Sequence, residues 1–312
     1  MAQQPFFYGG QAVIEGVMIR GRHFYSLAVR RMDGEIHTTC ERLNSFLSPR
    51  LRRIPLLRGM FALMETLVLG IKVLNRSATL AMQDQAPDEK EMPRWMLAIT
   101  LCVSLTLGVG LFFVLPLWIV SFLDDHIGSS LISNVIEGAF RLLVLVGYVG
   151  AIGLMPDVKR VFGYHGAEHM AVHTHEAGLS LEVGNVRRFP AAHPRCGTAF
   201  LLTVMVVAIG LFALLGRPSI EIRILSRIAL IPVIAAISYE IIRFSGAHQN
   251  NFLARFISYP GLLLQRLTTR IPDDKQIEVA ISAMQAAIDA DEGRDMIQPV
   301  EGMSSEKGSE IK

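Results

Sequence analysis

The stretch HGAEHMAVHTHEAG, residues 165–178, holds four of the chain's nine histidines together with Glu168 and Glu176. On a helix, His165, His169 and His173 recur at i, i+4 and i+8 along one slowly drifting face, with Glu168 on the same side. Gly178 is placed to end that helix. The order His-x-x-Glu-His is the inverted form of a zinc-protease signature. Two imidazoles one turn apart hold Zn²⁺ at about 2.0–2.1 Å, and the glutamate between them can take a proton from a water that the ion activates. A second cluster, HPRCGT at 193–198, supplies His193 and Cys196, both first-choice zinc ligands. One ion can then be held by His165, His169 and one of Cys196, His193, His173 or Glu176. Cys196 is the expected third ligand, because its thiolate is soft and adds negative charge. Pro194 biases His193 to an extended conformation, which turns it away or makes it a support for the ligands. His173 and Glu176 are expected in the same supporting position, and Glu168 as general base, facing the ion without binding it. The competing reading is a polar surface helix whose histidines only make hydrogen bonds.

The elements around this stretch are apolar. The chain has 312 residues, 51% of them hydrophobic, with a net charge of +2 and a mean hydropathy of +0.39. No global basic field is present to hold nucleic acid. Cys40, Cys102 and Cys196 are too few and too far apart for a disulfide framework. Residues 97–123 contain no charge and are long enough to cross a hydrocarbon core of about 30 Å. Residues 199–216 form a second uncharged run. Residues 131–155 carry Glu137 and Arg141, an i, i+4 pair that lowers the cost of insertion. Residues 224–242 carry Arg227 and Glu240. The count is four spanning helices, with three as the rival.

Charge sets their direction. The connection DDHIGSS has no Lys or Arg, whereas residues 156–198 carry Lys159, Arg160, Arg187, Arg188 and Arg195. The N-terminal region is rich in arginine, from Arg20 and Arg22 to Arg50, Arg52 and Arg53. The positive-inside rule puts both regions, the histidines and both termini in the cytoplasm. Arg217 and Arg223 then fall awkwardly outside. The start of the chain shows no cleavable signal pattern.

The fold class expected is an α-helical integral membrane protein of about four transmembrane helices with a small cytoplasmic α/β cap. Residues 1–53 form a β-rich region, with a two-residue hairpin signal at Asp33-Gly34. Residues 54–80 form an amphipathic helix that lies in the interface or packs beneath the spans without crossing, since Arg58, Glu65 and Lys72 make one charged stripe with a seven-residue repeat. Residues 97–155 hold the first two spans, 156–198 the His/Cys loop and 199–244 the last two spans. Amphipathic helices follow over 245–291, one of them capped by Asp273. A disordered tail closes the chain at 292–312.

Four blocks, GGQAVIEGVMIRG, YHGAEH, HPRCGT and PGLLLQRLTTRIPDDKQIEVA, resemble the YqhQ-like family (domain of unknown function 1385). Its members are bacterial membrane proteins described as predicted metal-dependent enzymes. The resemblance carries over His165, Glu168, His169, His193 and Cys196, and places Glu15 and Arg20 in a shared N-terminal block, near the site. It implies a multi-pass protein of the bacterial inner membrane in contact with membrane lipid. The function expected is a zinc-dependent hydrolase at the cytoplasmic membrane surface, acting on a lipid or a peptide. The alternative is a non-enzymatic scaffold or assembly factor with a structural metal or a hydrogen-bonded histidine cluster. Transport through Glu137, Arg141 and Glu240 is a third reading.

Overall fold

The computed structural model describes residues 6–43, 54–82, 94–216, 218–248 and 251–294. Arg50, Arg52, Arg53, Arg217 and most of the expected tail, residues 295–312, lie outside the described residues. The chain is mostly helical, with one small antiparallel sheet near its N-terminus.

The sheet is a meander of β1 (Gly9–Val13), β2 (Gly16–Arg20), β3 (Phe24–Arg30) and β4 (Ile36–Arg42), each strand pairing with the next. Side chains alternate between its faces. Val13, Met18, Tyr25, Leu27 and Val29 point to α1 (Leu57–Met82), where they meet Val73, Leu80 and Ala81. Val17, Ile19 and Ala28 point the other way, to α5 (Pro156–Glu176) and α11 (Asp274–Asp291), among Tyr164, Ala167, Ala171, Ile277, Ala280 and Met284. Burial on both faces explains why β2 and β3 read as near-continuous apolar runs. Ser26 is the polar exception, and its hydroxyl donates to the Ala283 carbonyl at 2.6 Å.

The hairpin at Asp33-Gly34 forms, but its loop is Met32-Asp33-Gly34 rather than two residues. Gly34 N–H donates to Arg31 O and Arg31 N–H to Glu35 O, with Gly34 at φ +91°. A turn closed by a left-handed glycine is the usual three-residue solution. Ile14 and Glu15 make the β1–β2 turn. Glu15 has φ +53°, a strained position for a side chain. Arg160 of α5 grips its carboxylate with two nitrogens, and Tyr164 donates to it at 3.1 Å.

The charged stripe of α1 contacts two neighbours. Arg58 pairs with Glu240 of α9 (Ile231–Ala247), while Lys72 reaches Glu41 and the Tyr25 hydroxyl. The two ends of the stripe thus tie α1 to a helix and to the sheet. Its Leu57, Met60, Met64 and Leu67 stay exposed.

Among the described residues, two helices are long and apolar enough to cross a membrane by length and composition. One runs over Ala98–Ser121 as α2 (Arg94–Val109), a π-helical turn (Gly110–Val114) and α3 (Leu115–Ser121). The other is α4 (Ser130–Ile152). The third expected span, α7 (Thr198–Leu214), is apolar but only 17 residues long. The fourth is two helices, α8 (Ile220–Ala229) and α9, broken at Leu230 because Pro232 starts a new helix in its first turn.

A short α6 (Val183–Val186), α10 (Phe252–Thr268) and α11 complete the fold. Asp273 caps α11 as expected, in a capping box with Gln276, whose side chain also donates to Arg160 O. Ser26→Ala removes a buried hydroxyl and leaves the Ala283 carbonyl without that donor. Such a loss costs about 1–2 kcal/mol. Denaturant titration of the purified protein in detergent is expected to show it as an earlier midpoint with an unchanged slope.

Candidate metal centre

The histidine stretch is helical, as its spacing predicts, and α5 ends at Glu176 with Gly178 at φ +69°. The helix is enclosed. A Cβ on Gly10 of β1 would lie 2.8 Å from Glu168 Cγ, and one on Gly163 would collide with Gln276. One on Gly166 would strike the Arg270 carbonyl. Polar side chains on such a helix must find partners inside the protein.

The partners fix the imidazoles. His165 Nδ1 lies 2.8 Å from Thr268 O, and His169 Nδ1 lies 2.6 Å from Ala191 O. A carbonyl carries no proton, so each Nδ1 donates and each neutral ring keeps its lone pair on Nε2. His165 Nε2 is 3.2 Å from Cys196 Sγ. One donor atom from each of His165, His169 and Cys196 lies within 4.8 Å of the others. Tetrahedral zinc would set nitrogen and sulfur roughly 3.6 Å apart. A slight opening of this set therefore fits the ion, and the two carbonyls are the outer partners that metal-bound histidines require.

Glu168 is only 4% exposed, and its Oε2 is 3.5 Å from His169 Nε2. Burial pushes its carboxyl above the ordinary carboxylate range, against the pull of His165, His193 and the Gly10 N–H. Burial pushes His169 down, against Cys196 and Ala191 O, which favour its protonated form. The expected base thus stands beside the expected ligands in a dry setting.

His193 is brought elsewhere. It joins His173 and Glu176 in a second group whose donor atoms lie within 4.8 Å of one another. His193 Nδ1 accepts from Arg195 N–H, and its Nε2 is 3.4 Å from Glu176, which also pairs with Arg195. His173 Nε2 donates to Ala192 O at 3.0 Å. These bonds leave His193 better suited to hold the 190–196 loop than to bind the same ion as Cys196. The two groups are neighbours, with the His169 and His193 ring centroids 5.7 Å apart.

The N-terminal block divides. Glu15 touches α5 through Arg160 and through Tyr164, the residue before His165. Arg20 is on the other face of the sheet, where it reaches Thr66 of α1, away from the centre. Two residues that the motifs did not mark are important. Gln265 of α10 is fully buried, donates to His193 O and accepts from His193 N–H. Thr268 supplies the carbonyl for His165. Gly261, Leu264, Gln265 and Thr268 share the buried stripe of α10. A glutamine on an otherwise apolar helical face was the available signal.

A family model described as "Protein of unknown function (DUF1385)" matches residues 54–290. The chain is 35% identical to "Uncharacterized protein YqhQ" of Bacillus subtilis (strain 168), over 89% of this chain and 91% of that protein. No solved structure matches.

Burial sets a pH dependence for the metal-free protein. His169, His173 and His193 are all held below the ordinary histidine value, each chiefly by desolvation. Their contribution to stability is complete above about pH 6.5 and is lost as pH falls through the depressed folded values. Glu168 has the opposite sign: its contribution is lost as pH rises through its raised folded value. Thermal unfolding of chelator-treated protein should weaken from about pH 7 to about pH 5. Glu168→Gln should stabilise the protein above that range. A melting temperature that rises on acidification would contradict the assignment of neutral, buried histidines.

Proposed function

This chain belongs to the DUF1385 family, and we propose that it is a zinc-dependent hydrolase working at the cytoplasmic face of the bacterial inner membrane. The observation that carries the reading is the convergence of His165, His169 and Cys196, with both Nε2 lone pairs freed by backbone acceptors. A zinc ion held there would supply Lewis acidity that lowers a water's pKa to about 7. His165 and His169 hold that position through tautomers set by Thr268 and Ala191. Cys196 supplies the negative charge. Glu168, made more basic by burial, accepts the proton of the attacking water and passes it to the leaving group. The substrate is a lipid or peptide that reaches this centre from the membrane surface.

The membrane reading rests on inverted polarity. Helix α8 buries Arg223 and Arg227 while Ile222, Leu225 and Ile228 are exposed, Leu225 at 67%. Helix α4 likewise buries Ser133, Asn134, Glu137 and Arg141 and exposes Leu131, Ile132, Val135 and Leu143. Water rewards the reverse arrangement, whereas lipid tolerates this one. We take α2–α3, α4, α7 and the α8–α9 pair as four crossings, with both termini inside and the sheet, α5 and α11 as a cytoplasmic cap. Seventeen residues of α7 reach the lower limit for a span.

A second reading, a scaffold with a closed structural metal, is favoured by the depth of the ligands: His169 is 2% and Cys196 8% exposed. One substitution tests both readings, and a second separates them. His165→Ala should remove about one equivalent of zinc under either reading. Glu168→Gln should keep zinc and fold in both, but abolish complementation of a deletion strain only for the hydrolase. Equal, near-zero metal in wild type and His165→Ala would remove both. A reporter fused after Gly178 should report the cytoplasm and one within residues 124–130 the outside, and the reverse pattern would overturn the topology.

A further inference from the structure

The far end of the helical bundle contains a second polar centre, unconnected with the histidines. Helix α7 leads from Cys196 through 17 residues, about 25 Å, to the connection before α8. There Glu137 of α4 is shared by three arginines. Arg141 Nη2 donates to its Oε1 at 2.5 Å, and Arg227 takes both oxygens through Nε and Nη2 at 3.3 and 2.8 Å. Arg223 Nη2 is 3.5 Å from Oε2, an ion pair without a hydrogen bond. Arg141 Nε donates to Phe112 O in the π-helical turn, and Arg227 Nη2 also donates to Asn134 Oδ1. Phe212 lies under both guanidiniums. Two of the three arginines therefore have their side-on edge, Nε with Nη2, fully engaged.

Arg223 does not. Its Nη1 donates to Asp124, whose other oxygen accepts from Ser133. Its Nε and Nη2 are buried with no hydrogen-bond partner among the described residues, and the residue is 3% exposed. These two N–H groups are parallel donors on one edge, the geometry that a carboxylate or phosphate takes in a bidentate pair. Unmade charged hydrogen bonds in an apolar bundle are costly. Glu137 is already divided between two other guanidiniums and cannot satisfy this edge as well.

We propose that the open edge of Arg223 is a binding site for a single oxyanion, a phosphate group held between α4 and α8. The oxyanion comes from a phospholipid headgroup or from free phosphate, and its oxygens complete a cluster of three arginines around Glu137 and Asp124. The arginine that the positive-inside rule placed on the wrong side of the membrane is then a ligand-binding residue. The site does not depend on the metal reading.

The test uses the full chain purified in a phosphate-free maltoside detergent. Native mass spectrometry reads retained phospholipid, and equilibrium dialysis of delipidated protein against labelled inorganic phosphate reads free anion. Arg223→Gln and Arg223→Lys are compared with wild type, with melting temperature as the folding control. Lysine keeps the charge but loses the two-pronged edge, so it remains informative if the glutamine variant does not fold. Wild type is expected to bind in one arm at least, and both variants to lose at least about tenfold in affinity or occupancy. Loss in the mass-spectrometry arm identifies a lipid headgroup, and loss in the dialysis arm a free phosphate. Wild type that retains no phospholipid and binds no phosphate would overturn the proposal. So would a folded Arg223→Lys protein that binds as well as wild type.

Discussion

The enclosure of α5 constrains everything around it. A helix bearing His165, Glu168, His169 and His173 passes between a sheet, a second helix and a loop, which buries Glu168 and His169 and half-buries His165 and His173. The imidazoles are answered by backbone carbonyls from two separate segments: Thr268 at the end of α10, and Ala191 and Ala192 in the loop before α7. Those carbonyls decide the tautomers, and the tautomers decide which nitrogens are left to meet a cation. Small residues make the enclosure possible, because Gly10, Gly163 and Gly166 stand where any Cβ would collide. The loop itself is held by Gln265 and by the Arg195–Glu176–His193 set, so the position of Cys196 is inherited from α10 and from the end of α5.

The chain treats its two polar centres differently. At the histidines, burial disfavours charge, and the rings are kept neutral by a dry setting. At the arginines, charge cannot be discarded, because guanidinium does not lose its proton in proteins. Neutralisation there must come from carboxylates, aromatic faces and carbonyls, which Glu137, Asp124, Phe212 and Phe112 supply. The two centres stand towards opposite ends of α7.

The linkage between cap and bundle uses charge as well. Arg58 and Lys72 are fourteen residues apart on α1, yet one pairs with α9 and the other with the sheet. Glu15, in a left-handed turn, meets Arg160 and Tyr164 at the other face of the sheet. Sheet, α1 and α5 are thereby registered against one another by ion pairs at the margins of two apolar layers. The apolar contacts supply most of the free energy, while the pairs fix the register.

The sequence by itself determined the helix under the histidines, its glycine stop, the Asp273 cap, the strands of the N-terminal region and the apolar character of the long helices. These follow from periodicity and capping chemistry, which act over a few residues and can be read locally. It also brought Cys196 to His165 and His169, through the donor preferences of a metal. Only the tertiary structure decided that His193 belongs with Glu176, that Arg20 faces α1, and that Arg223 and Arg227 turn inward on a helix broken from α9 by Pro232. It alone revealed Gln265 and Thr268. The physical reason is common to all of these. Which of several competent partners a polar group takes depends on the distance between elements far apart in the chain. That distance is set by packing, where the side chains involved are as ordinary as a glycine, an alanine or a glutamine.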